Sequence, residues 1–86
     1  MSHPTSTPTV HLNGTPRLEL ETQLREAAAA IQAAQEALAR TAPHGRDYYT
    51  QGPGALQRAQ FDHEGRMLRL AGIYDDLAAI YEGIAF

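Results

Sequence analysis

The chain contains no cysteine, no tryptophan and no lysine. Without cysteine, disulfides and thiolate metal sites are excluded as sources of stability, and the composition leans towards the cytoplasm. No apolar run approaches the ~18 residues a membrane span needs, and the N-terminus shows neither the basic region nor the apolar stretch of a secretory signal. A non-secreted protein with no membrane partner is expected. Basic charge is scarce as well. Seven basic residues against ten acidic ones leave a formal charge of −3, with no basic patch or stripe, which argues against duplex nucleic acid as a partner. All seven basic residues are Arg; GC-rich coding accounts for that bias, yet any of them that meets a carboxylate or phosphate does so with a bidentate fork. No His-Glu-x-x-His motif is present, no serine follows the first few residues, and neither Glu64 nor Asp75-Asp76 is spaced to work with a nucleophile. No enzyme, cofactor or metal site is expected.

What is present is mostly helix. Eighty-six residues make one domain at most, and a chain this short has difficulty burying enough apolar surface to offset its conformational entropy. Oligomerisation is the remaining source of core. Residues 1–9, with Pro4, Pro8 and alternating Ser and Thr, read as a flexible tail before a domain over 10–86. Val10-His11-Leu12-Asn13-Gly14 reads as a short extended segment with an Asn-Gly turn. Thr15 then stands as N-cap to Pro16, with Glu19 and Glu21 favoured by the helix dipole. From there Leu20, Leu24, Ala27, Ile31, Ala34, Leu38 and Thr41 recur at spacings of four and three, predicting a helix over about 16–41 that Pro43 and Gly45 end.

A second helix is predicted over about 55–85. Its seam is Leu56, Gln60, His63, Met67, Leu70, Tyr74, Leu77, Tyr81 and Ile84, flanked at sevens by Ala59, Arg66, Ile73 and Ile80. Gly72 within it reads as a point of close helix approach. Glu26, Glu36, Arg58, Asp62 and Arg69 read as a solvated face. The fold class is therefore all-α, a two-helix antiparallel hairpin assembling into a homo-oligomeric helical bundle. One apolar stripe of the second helix packs on the first, and the other is left for a further subunit.

The joint over 42–54 holds more chemistry than a turn requires. Arg46 can clamp an anionic group, Tyr48 and Tyr49 can stack on a planar base, and Gln51 with the glycines around it supplies polar groups at close range. The plainer use of the same residues is that Asp47 caps a turn, Arg46 pairs with it and the tyrosines cover the open end of the hairpin. Gln60 and His63, polar on an otherwise apolar seam beside the joint, either line a cavity floor or set packing register. His11, Asn13 and Thr15 serve as cap and turn, or as the polar half of a site. A helix of about 26 residues separates them from the joint by roughly 40 Å. The two motifs can share a site only between antiparallel subunits.

At Val10-His11-Leu12-Asn13-Gly14-Thr15 and at Arg46-Asp47-Tyr48-Tyr49 followed by Gln51-Gly52-Pro53-Gly54, the chain resembles small uncharacterised phage and prophage proteins built as helix, polar joint, helix. The resemblance implies a homo-oligomer of the kind that sequesters nucleotide immune signals in the host cytoplasm. It supplies no binding residues; those expected come from the residues themselves, Arg46, Tyr48, Tyr49, Gln51, Gln60 and His63 with His11 and Asn13 from a neighbouring subunit. The expected function is thus non-enzymatic binding of a small anionic, nucleotide-like ligand at subunit interfaces. The alternative is a coiled-coil interaction module, a phage structural accessory or protein inhibitor whose apolar stripe docks on a partner helix. Secreted helical hairpins with a Trp-x-Gly turn share this length, but the chain has no Trp.

Overall fold

The fold is that of a computed structural model whose described residues are 6–85. Two long helices make it: α1, Arg17–Ala39, and α2, Ala55–Ala85, joined by two short 3₁₀ turns at Gly45–Asp47 and Tyr49–Gln51. The two helices pack against each other as a hairpin, and no strand occurs among the described residues. Residues 1–5 of the expected tail lie outside the described range, and 6–10 are exposed without regular secondary structure.

Helix α1 begins one residue later than expected. Pro16, with φ −58° and ψ 147°, occupies the N-cap position in place of Thr15, and no side chain caps the helix. The Pro16 carbonyl accepts the first helical bond, from the Leu20 N–H at 3.1 Å. A proline there has no N–H of its own to satisfy, so little is lost. The Asn-Gly segment is a turn closed by the Gly14 N–H on the His11 carbonyl at 3.1 Å. Gly14 achieves it without positive φ.

The helix ends in a tightened turn. The N–H groups of Thr41 and Ala42 bond to the carbonyls of Leu38 and Ala39 at 2.9 and 3.2 Å, and the Thr41 hydroxyl donates to Leu38 at 2.7 Å. Pro43 has no N–H to continue the ladder. In the joint, the Leu56 side chain reaches under Gly45, 3.6 Å from where a Cβ would stand. Gly52 and Gly54, with φ of 96° and 83°, turn the chain into α2 through a region that L side chains rarely adopt.

The seams differ from the expected heptads in instructive places. On α1 the half-buried positions are Leu20, Glu21, Thr22, Leu24, Ala28, Ile31, Gln35 and Leu38, whereas Ala27, Ala34 and, just past its end, Thr41 are exposed. A helix of 3.6 residues per turn drifts against a strict period of 3.5. Where adjacent residues are both alanine, as at 27 and 28, the pattern of side chains cannot say which one faces inward. On α2, Leu56, His63, Met67, Leu70, Tyr74, Leu77 and Tyr81 are half-buried and Ile84 is buried, but Gln60 is exposed and Ala59 takes its place.

The hairpin has almost no interior. Among the described residues only Ala55, at 5 % exposure, and Ile84, at 3 %, are buried. The surface is 6645 Å², against ~5,000 Å² for a compact monomer of this length. The radius of gyration is 18.3 Å, against about 12 Å for a compact chain. Two helices laid side by side bury one stripe each and leave the rest wet. No helix is long and apolar enough to cross a membrane among the described residues.

Candidate functional site at the joint

A cleft of ≈350 Å³ opens where the joint meets the first turns of α2. Thr41 and Pro43 form its α1 side, and Tyr48 and Gln51 close it from the joint. Its long wall is Ala55, Arg58, Ala59, Asp62, His63 and Arg66. Those six recur at steps of three and four, so they fall in one stripe of helix about 16 Å long. Two guanidiniums, one carboxylate and one imidazole thus share a face with a tyrosine hydroxyl and a carboxamide.

The joint backbone is two separate 3₁₀ turns that meet at Tyr48, whose φ of −126° and ψ of −8° depart from 3₁₀ geometry. Tyr48 and Gln51, three apart across the second turn, both line the cleft, whereas Arg46 and Tyr49 do not. Tyr49 is 80 % exposed. The turns are held by the Asp47 N–H on the His44 carbonyl, Tyr48 on Gly45 and Gln51 on Tyr48, each at 3.0 Å. Tyr48 is half-buried by this arrangement.

Of the eight residues the sequence singles out, Tyr48, Gln51 and His63 come together here. Arg46 and Tyr49 are exposed and lie outside the cleft, and Gln60 lies one residue off the cleft stripe, also exposed. His11 and Asn13 are at the other end of the hairpin, where the N-terminal segment crosses the end of α2 with Thr7 against Gly83. The His11 ring folds over Gly14, its Nε2 2.7 Å from the point a Cβ would occupy. Within one chain the two polar motifs stand apart.

Three cleft residues did not stand out in the sequence: Arg58, Asp62 and Arg66. Arg58 and Asp62 are exposed, as a solvated face requires, and they also rim the cleft. The available signal was the spacing Arg-x₃-Asp-x₃-Arg, which puts three charges on one side of a helix directly after the tyrosine joint. Arg58 bends back over Gly54, its Nη1 3.1 Å from where a Cβ would stand. Among the described residues the side-chain hydrogen bonds lie within α1 or just past its end, and of the cleft's polar side chains only Thr41, bonded to the Leu38 carbonyl, takes part in one. The others are free to bond to water or to a ligand. No group of three His, Asp or Glu side chains suited to a metal gathers among the described residues.

The fold and cleft define a small all-helical hairpin with a polar recess at its closed end. The chain matches no protein-family model and has no significant counterpart among the curated proteins or the solved structures compared with it.

Proposed function

We propose that the protein binds a small anionic, nucleotide-like ligand in the joint cleft, without turning it over, and that a homo-oligomer is the functional form. The observation that carries this reading is the convergence of Arg58 and Arg66 with Tyr48, Gln51 and His63 on one recess. Guanidiniums recognise phosphate oxygens with paired hydrogen bonds, a tyrosine ring offers a stacking face, and the carboxamide can read a base edge. The recess also starts at Ala55, the first residue of α2, where the helix dipole is positive. Asp62 between the two arginines offers an acceptor for ribose hydroxyls or base amines. Sequestration of a nucleotide signal is the role that the likeness to small phage proteins implies.

Thermal shift with mono-, cyclic and dinucleotides tests the reading. A ligand at 100 times its Kd stabilises by about 2.7 kcal/mol, which for a chain of this size raises Tm by roughly 10 °C or more. Arg66→Ala cuts the shift by about half or more if the cleft is the site. No shift with any nucleotide removes the reading.

A second reading has its own observation. Phe61 and Leu68 on α2 are 76 % and 66 % exposed, as a docking helix for another protein would present them. Nucleotide-independent capture of a partner that Leu68→Glu abolishes, with no thermal shift, would favour that module.

A further inference from the structure

The exposed face of α2 is built from two kinds of residue in alternation. Phe61, Gly65, Leu68 and Gly72 follow one another at steps of four, three and four, so they form a single stripe turned away from both α1 and the cleft wall. Phe61 and Leu68 stand out from it. The glycines are open: nothing approaches within 4 Å of a Cβ built on Gly72, and at Gly65 only the flexible Arg69 side chain does, at 3.5 Å. Each glycine weakens the helix by up to ~1 kcal/mol relative to alanine. Packing on α1 gives Gly72 no return for that cost.

Laid antiparallel on a second copy, this stripe is complementary to itself. With a two-fold axis between residues 66 and 67, Phe61 falls opposite the partner's Gly72 and Leu68 opposite the partner's Gly65, and each contact occurs twice. Charge agrees with shape in that register. Asp62 and Arg69 flank the stripe on one side, where equivalent flanks of antiparallel helices meet, so each Asp62 faces the partner's Arg69. The excess of surface over a compact monomer also exceeds the ~800 Å² per partner that a standard interface buries.

We propose that two copies of this chain pair antiparallel through α2, each Phe61 seated on the partner's Gly72 and each Leu68 on the partner's Gly65, so that the partner's Arg69 joins the rim of each cleft beside Asp62. The same register carries the partner's Gly83, with the N-terminal segment that crosses it, past Ala55 to the joint end of the cleft. The polar turn at His11–Gly14 of one copy thereby reaches the end of the molecule that holds the other copy's cleft. This pairing deepens the shared-site reading above and is testable without any ligand.

Because the chain lacks cysteine, introduced cysteines report only on themselves. A mixture of Phe61→Cys and Gly72→Cys chains should form a heterodisulfide under mild oxidation. Neither chain alone should do so efficiently, since like residues lie about 16 Å apart along the pair. Equal cross-linking of Phe61→Cys with itself, or none in the mixture, overturns the register. Gly72→Leu gives a second readout of opposite sign for the two possibilities. In a free face the leucine has room and a better helix propensity, so Tm rises at unchanged mass; that result overturns the proposal. In the proposed pair, sedimentation shifts to monomer and Tm falls. Asp62→Arg should likewise weaken the pair at least tenfold, and adding Arg69→Asp should restore it; no restoration overturns the flank assignment. A cross-linked pair that binds no nucleotide upholds the pairing and removes the ligand, whereas a monomer that still binds one removes the pairing alone.

Discussion

Thr7 lies across Gly83, its Cγ2 only 2.8 Å from the point where a Cβ would stand. The contact pins the N-terminal segment to the last turn of α2 and explains the glycine there. Gly83→Ala should raise Tm through helix propensity, by up to ~1 kcal/mol, while pushing Thr7 away. Limited proteolysis should then cut within residues 6–12 several times faster than in the parent. Unchanged cleavage would mean the segment does not rest on Gly83.

Gly52 and Gly54 give the opposite sign. Both have φ near +90°, where an L side chain costs about 1–2 kcal/mol. Gly54→Ala also crowds the Arg58 guanidinium at 3.1 Å. Urea denaturation should show each alanine variant less stable by about 1 kcal/mol or more, with Gly54→Ala also lowering ligand affinity because Arg58 is displaced.

Adjacent alanines on α1 test the packing register. Ala28 is half-buried and borders a second, more apolar recess of ≈210 Å³ with Leu24, Tyr74 and Leu77, while Ala27 faces solvent. Ala28→Glu should lower stability by about 1–2 kcal/mol through burial of a charged chain, and Ala27→Glu by less than ~0.5 kcal/mol. Equal effects would place the seam elsewhere.

The cleft and the exposed joint residues outside it should separate in binding. Removing a charge-assisted hydrogen bond costs about 1.5–3 kcal/mol, so Arg66→Ala should weaken nucleotide binding by roughly 10- to 100-fold. Arg46→Ala and Tyr49→Ala, outside the cleft, should change it less than about twofold when calorimetry is done on the isolated protein. The reverse ranking would move the site to the face first suggested by the sequence.

Much of the architecture could be read from side-chain spacing. Alternating steps of four and three, with Pro43 and the Gly52-Pro53-Gly54 turn between them, locate two helices to within about two residues at every end. The seam of α2 from His63 to Ile84 was legible because its large residues recur at steps of four and three without a break, a phase that Leu68 and Ile73 beside it do not share. Around Ala27–Ala30 and Ala33–Ala34 it was not, since a run of identical small side chains carries no phase. Gln60 was misplaced on the seam for the same reason: Ala59 beside it is small enough to look neutral.

Residue order alone specifies two amphipathic helices around a polar, aromatic joint, with too little apolar surface to close a core alone. That much follows from composition and period, which act locally along the chain. Which polar groups meet depends instead on how the elements pack. The joint's turns place Tyr48 and Gln51 on the cleft and leave Arg46 and Tyr49 outside it, and the first turns of α2 supply Arg58, Asp62 and Arg66 as the facing wall. Side chains on separate elements are brought together by backbone geometry, a quantity that residue spacing within either element does not contain.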